Sequence, residues 1–144
     1  MNWQSVEILL VEDNPGDIRL AKEALKESKI ANNLHCVIDG VEALEFLNKE
    51  GQYAEAARPD LIILDLNLPK VSGHEVLGVI KERESLRRIP VVVLTSSEAE
   101  EDILKSYDLH ANCYIRKPIG IESFIEVVTR IETFWFHVVK LPPA

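Results

Sequence analysis

The sequence predicts an α/β fold: a doubly wound, five-stranded parallel sheet with helices on both faces. Two observations carry this. Short apolar runs alternate five times with amphipathic stretches, the pattern of βα units that build a parallel sheet. The runs are apolar throughout rather than alternating, as strands buried on both faces must be. They also stop at polar groups. Ile8-Leu9-Leu10-Val11 ends in Glu12-Asp13, Leu61-Ile62-Ile63-Leu64 in Asp65, and Val91-Val92-Val93-Leu94 in Thr95, while Cys113-Tyr114-Ile115-Arg116 leads into Lys117-Pro118. In an open α/β sheet, ligands bind beyond the carboxyl ends of the strands, so these polar residues mark the candidate site.

After the first strand, Asn14-Pro15-Gly16-Asp17 forms a turn, and Asp17 is the expected N-cap of a helix with Ile18, Ala21 and Leu25 on one face. The second strand, near Leu34-His35-Cys36-Val37-Ile38, ends at Asp39-Gly40, and Val41, Leu44 and Leu47 follow at helical spacing. A longer polar connection from Asn48 to Pro59 precedes the third strand. The loop Leu68-Pro69-Lys70-Val71-Ser72-Gly73 then opens a helix with Val76, Leu77 and Ile80 inward. Past Thr95, Ser97 and Glu100 have capping-box spacing for a fourth helix carrying Ile103, Leu104 and Tyr107. The fifth helix starts near Ile121 and runs past Trp135.

Composition excludes several function classes. At 144 residues the chain is long enough for one domain with a sizeable core, and 47% of it is hydrophobic. A net charge of −8 argues against sequence-independent binding to nucleic acid, which needs a basic surface. No stretch approaches the roughly 20 apolar residues needed to span a bilayer. The start, Met1-Asn2-Trp3-Gln4-Ser5, lacks the features of a signal peptide, so a cytoplasmic location is expected. Cys36 and Cys113 have no metal-ligand spacing and read as free thiols. His35, His74, His110 and His137 are scattered and form no evident ligand set.

The strand ends carry the chemistry. Carboxylates about 4 Å apart repel by roughly 4 kcal/mol per pair at an effective dielectric near 20. A cluster of Glu12, Asp13 and Asp65 therefore calls for a cation, and magnesium suits an all-oxygen donor set. Asp65, closing a buried strand, is the best-placed nucleophile, because a carboxylate can form an acyl phosphate. Lys117 can neutralise charge on transferring phosphoryl oxygens, and the Thr95 hydroxyl can donate a hydrogen bond to one of them. Together these residues describe a magnesium-dependent site that takes up a phosphoryl group.

The segments Leu10-Val11-Glu12-Asp13-Asn14, Asp39-Gly40-Val41-Glu42-Ala43-Leu44, Leu64-Asp65-Leu66-Asn67-Leu68-Pro69, Pro90-Val91-Val92-Val93-Leu94-Thr95 and Lys117-Pro118 resemble, in order and spacing, the landmarks of the receiver domain of two-component response regulators. The resemblance covers residues 5–130 and implies a flavodoxin-like sheet of order 2-1-3-4-5. It implies that Asp65 is the phosphoacceptor for a histidine kinase. Asp13 and the Asn67 carbonyl would join Asp65 as direct ligands of Mg2+, with Glu12 binding through water. Thr95 and Lys117 would contact the phosphoryl group, the Lys117–Pro118 peptide would be cis, and Tyr114 would be an aromatic switch. Phosphorylation would reshape the surface of the fourth helix, fifth strand and fifth helix. Cys36 and Cys113 would lie on opposite edge strands, too far apart for a disulfide. Ser96 departs from the small residue that many receivers place there, which could slow phosphoryl transfer or loss.

Softer features extend the resemblance to the single-domain regulators that partner cyanobacterial phytochromes. These are Leu66-Asn67-Leu68-Pro69-Lys70, the connection around Glu50-Gly51-Gln52-Tyr53, and Ile131-Glu132-Thr133-Phe134-Trp135 followed by Leu141-Pro142. On that reading no output domain is attached.

Residues 131–144 extend the last helix into an apolar tail. Phe134, Trp135 and Phe136 are consecutive, so on a helix they fan over about 200° and cannot all face inward. The stripe Phe124, Val128, Ile131, Trp135 and Val138 follows core spacing, which turns Phe134 or Phe136 outward beside Leu141. Phe134, Phe136 and Leu141 are therefore candidate contacts of a homodimer. Rival classes fit less well. A phosphohydrolase of the haloacid-dehalogenase type usually has a second acid two residues past its nucleophile, where this chain has Asn67, so turnover of external substrates is not expected. Glu12-Asp13 would repel the phosphate of a flavodoxin-type cofactor. The remaining alternative is a constitutive protein-interaction module on a receiver fold.

Overall fold

The computed structural model describes residues 5–143. Five strands form one parallel sheet: β1 (Val6–Val11), β2 (Asn32–Val37), β3 (Leu61–Leu64), β4 (Val91–Thr95) and β5 (Cys113–Arg116). Their spatial order is β2-β1-β3-β4-β5, as the resemblance implied. Five helices connect them: α1 (Pro15–Lys26), α2 (Gly40–Asn48), α3 (Gly73–Glu82), α4 (Glu100–Asp108) and α5 (Ile121–Thr133). A 3-10 turn at Gly51–Tyr53 breaks the long connection after α2, and a π-helical turn at Phe134–Val138 extends α5.

The apolar strands divide by parity, because successive side chains point to opposite faces. Leu9, Val11, Ile62 and Leu64 pack with α2 and α3 on one face. Ile8, Leu10, Ile63 and Val92 pack with α1 and α5 on the other. Val76, Leu77 and Ile80 of α3 are fully buried, as their spacing predicts, each stabilising the fold by about 1.5–3 kcal/mol. Cys36 and Cys113 are free and sit on the two edge strands.

Several local expectations are corrected. The N-cap of α1 is Asn14, whose Oδ1 accepts from the Asp17 amide at 3.1 Å, and Pro15 takes the first helical position. Asp17 lies in the first turn and is free for another role. In α2 the inward positions are Ala43, Phe46 and Leu47, whereas Val41 is exposed. The Ser97–Glu100 capping box does not form. Helix α4 begins at Glu100 with Ala99 as its N-cap, two residues too late for it, and Ser97 Oγ instead donates to Asp102 Oδ2 at 2.6 Å.

At the C-terminus Phe134 faces outward, while Trp135 and Phe136 pack partly against the core. Val138 is exposed, against the stripe's prediction. The π turn closes through Val139 N donating to Phe134 O at 2.9 Å, and its extra residue rotates Val138 off the buried face. Leu141 is half-buried. Among the described residues no helix is long and apolar enough to cross a membrane.

Candidate functional site

The backbone ladder runs one residue past two strands and thereby fixes two carboxylates. Glu12 N donates to Val37 O at 3.0 Å, and Asp65 N donates to Val11 O at 3.0 Å. Glu12 and Asp65 are thus held side by side at the carboxyl edge of the sheet, both buried, with Asp13 exposed beside them. One carboxylate oxygen from each of the three lies within 4.8 Å of the others. The Asn67 amide donates to Asp65 Oδ1 at 3.3 Å, so the chain turns back over the carboxylate just after β3.

Lys117 enters from the far side. Its amide donates to Thr95 O at 2.7 Å, which pins the residue after β5 to the end of β4. Its Nζ then lies 2.5 Å from Glu12 Oε1, 2.8 Å from Asp17 Oδ2 and 3.1 Å from Asp65 Oδ2. The Lys117–Pro118 peptide is trans, since no cis bond occurs among the described residues. The expectation of a cis bond is corrected: the ammonium reaches all three carboxylates from the trans backbone, which an X–Pro bond favours by about 0.5–1 kcal/mol.

Asp17 is the site residue that sequence reading missed. The signal was available. Pro15 prefers the first helical turn, which makes Asn14 the cap and puts Asp17 at the third helical position, where a side chain points back toward the helix start and the strand ends.

Electrostatics separates the acids. Burial pushes Glu12 up to about 7, and the neighbouring Asp65 charge adds to this, against the pull of Lys117. Burial also penalises the Asp65 charge. There the nearby Thr95 hydroxyl and the Lys117 ammonium outweigh it and hold the carboxyl below its ordinary value. Lys117 is buried too, yet its contacts with Asp17 and Glu12 raise its pKa and keep it charged.

Four carboxylates therefore meet one ammonium. That excess of negative charge, all on oxygen, fits a hard divalent cation such as Mg2+. The carboxylates of Glu12, Asp13 and Asp65 would hold it. A cation here must compete with the proton on Glu12. Magnesium affinity is expected to weaken as pH falls below about 7, by up to about tenfold per pH unit for one displaced proton. Calorimetric titration with Mg2+ at pH 6 and pH 8 measures this.

Thr95 ends β4, fully buried, and its Oγ1 lies close enough to Asp65 to favour the ionised carboxyl yet makes no hydrogen bond of normal geometry. An orphaned buried hydroxyl costs about 1–3 kcal/mol, so a spare donor here is poised for a ligand. Tyr114 is half-buried on β5, with its hydroxyl donating to Ser97 O at 3.0 Å. Ser96 is exposed. Phe134 caps the C-terminal end of α5, away from the strand ends that build the site, and Leu141 follows in the irregular tail.

Comparison with known proteins agrees with this geometry. Residues 8–129 match the family model described as the response regulator receiver domain. The chain is 50% identical over 137 residues to response regulator Rcp1 of Synechocystis sp. (strain PCC 6803), covering 95% of this chain and 93% of Rcp1. The crystal structure of the phosphorylated cyanobacterial phytochrome response regulator RcpA is similar at a TM-score of 0.94, with 51% identity over 97% of this chain and all of RcpA. The Mn2+-bound form of Rcp1 superposes at 0.92, with 48% identity over 96% of this chain and 99% of that one. The chain belongs to the response regulator receiver domain family.

Proposed function

We propose that this chain is the receiver of a two-component pathway and takes a phosphoryl group from the phosphohistidine of a histidine kinase onto Asp65. The observation that carries this is the buried, partnerless Thr95 hydroxyl at the same strand edge as an Asp65 carboxylate that Lys117 keeps ionised. An Asp65 oxygen attacks phosphorus, the P–N bond to the donor imidazole breaks, and the released nitrogen takes a proton from water. Lys117 and Thr95 hold the transferred oxygens. Asp13, Asp65 and the Asn67 carbonyl would hold Mg2+, with Glu12 acting through water, and the ion would supply charge neutralisation. The chain thereby catalyses its own phosphorylation and turns over no external substrate. A complete site of this kind gives no support to a constitutive interaction module.

The acyl phosphate carries about −1.5 to −2 charges and new acceptors, toward which Thr95 moves, with Tyr114 filling the space it leaves. The reshaped surface comprises α4, β5 and α5. The likeness to RcpA, a cyanobacterial phytochrome response regulator, supports a place in phytochrome signalling, and a cytoplasmic location remains the expectation from the sequence. With acetyl phosphate and Mg2+, intact-mass spectra are expected to show a single phosphoryl adduct that Asp65→Asn abolishes. Thr95→Ala keeps the adduct and loses the switch. No adduct with acetyl phosphate or with a cognate kinase overturns the reading.

Residues 131–144 support a homodimer contact beyond the receiver of 5–130. Phe134 is 50% exposed and borders an apolar cavity of about 200 Å3 lined by Cys113, Ile115, Val127 and Trp135, with Phe136 and Leu141 nearby in sequence. Analytical ultracentrifugation is expected to show a dimer that Phe134→Asp weakens. A monomer at every concentration, phosphorylated or not, sinks this assignment.

A further inference from the structure

The fully buried residue of α4 is not apolar. It is Ser106, while Leu104 and Tyr107 of the same helix stand 57% and 49% exposed. Helices usually dock through an apolar stripe, so a hydroxyl as the docking contact needs a reason. Ser106 Oγ donates to Asp102 O one turn earlier, at 2.8 Å. His74, at the second position of α3, places its Nε2 3.1 Å from Ser106 Oγ and 3.3 Å from Asp102 O. The carbonyl can only accept, and the serine hydrogen is already spent on it. Nε2 must therefore carry the proton and donate to both.

The same turn of α4 reaches the switch residue. Asp102 Oδ2 accepts from Ser97 Oγ, and Ser97 O accepts from the Tyr114 hydroxyl. A series of hydrogen-bonded residues, linked through the covalent frames of Asp102 and Ser97, thus runs from His74 on α3 through Ser106, Asp102 and Ser97 to Tyr114. We infer that His74 and Ser106 form a polar latch that seats α4 on α3 and holds Tyr114 in its inward, Ser97-bonded arrangement. The inference rests on the receiver reading and names two positioning residues for its output.

A polar latch suits a helix that must re-dock. Separating an apolar contact exposes oily surface, whereas these groups regain hydrogen bonds in water, so the seated arrangement is favoured only modestly. Phosphorylation of Asp65 and the latch then favour the same arrangement from two sides. Removing the latch leaves the chemistry at Asp65 intact and loosens the surface that reports it.

The test is amide hydrogen exchange by mass spectrometry on the full chain with Mg2+, with and without acetyl phosphate, each sample also weighed intact to count phosphoryl groups. His74→Ala and Ser106→Ala are expected to form the adduct as the parent does. Exchange across residues 97–109 should be about 3- to 10-fold faster, the range of one lost hydrogen bond. His74→Gln, which keeps a donor at similar reach, should restore most of the protection, as a mere packing role would not. Should His74→Ala fail to fold, Ser106→Ala, which removes a single atom, decides the matter. Unchanged exchange in adduct-bearing variants overturns the latch. An absent adduct in the parent, with acetyl phosphate and with a cognate kinase alike, overturns the phosphoacceptor reading instead, and the donor-free samples still judge the latch.

Discussion

Lys117→Ala is expected to lower the stability of the magnesium-free protein by about 3–5 kcal/mol at pH 8, the range for removing one partner from a buried ion pair. The Lys117 side chain is only 10% exposed and is the shared partner of Glu12, Asp17 and Asp65. Without it, Glu12 and Asp65 face each other with no cation between them. The loss should shrink as pH falls. Glu12 already sits near 7 in the folded protein against an ordinary value of 4.5. A carboxyl raised in this way disfavours the fold progressively as pH climbs from about 4.5 to 7, because the unfolded chain releases that proton more readily. In Lys117→Ala the pull of the ammonium is gone and the window extends upward. Chemical denaturation at pH 5 and pH 8, with and without Mg2+, reads all of this. Magnesium should recover part of the deficit at pH 8, and an equal loss at both pH values would contradict the account.

Gly40→Ala should destabilise the fold by about 1–3 kcal/mol, the usual range for overpacking, although alanine is the better helix former by roughly 1 kcal/mol. Gly40 opens α2, and its amide donates to Pro69 O at 3.4 Å. A Cβ there would fall 2.6 Å from Val71 Cβ and closer still to the Val71 carbonyl. The obstacle is backbone, so no rotamer change relieves it. The loop that must give way runs from Asp65 to Ser72 and is also packed at its other end, where a Cβ on Gly73 would strike the Asp65 carbonyl and lie 2.5 Å from Leu66 Cα. Gly40→Ala should therefore reduce Mg2+ affinity as well as melting temperature, through displacement of Asn67. Calorimetry and thermal unfolding of the same sample test both, and a melting temperature at or above that of the parent would refute the packing argument.

What was legible in the sequence follows a physical rule. Strands buried on both faces must be apolar throughout, so Leu61 to Leu64 and Val91 to Leu94 announce themselves. The polar residue that ends each run stands out against them, which is why Asp65 and Thr95 are legible in the sequence. Half-buried elements carry weaker marks. In α2 the spacing of Val41, Leu44 and Leu47 points to a stripe of which only Leu47 is fully buried, while Phe46 is the larger inward side chain. Asp17 resembles a cap in the sequence because caps and ion-pair partners draw on the same residue types. Its true partner, Lys117, lies 100 residues away, a distance that local pattern cannot bridge. The latch at Ser106 left no pattern at all. A serine in a polar helix looks like solvent-facing surface until the fold brings His74 against it.

The sharing of Lys117 among three carboxylates has a consequence for α1. One ammonium has three donor hydrogens, and here Glu12, Asp17 and Asp65 claim them all. Any further anion arriving at Asp65 must take a hydrogen from one of the present holders. Glu12 and Asp65 are fixed by backbone bonds at the ends of their strands, whereas Asp17 rides on the first turn of a helix. Asp17 is the ligand that lets go, and the opening turn of α1 becomes a second place, remote from α4, where the state of the site is written on the surface.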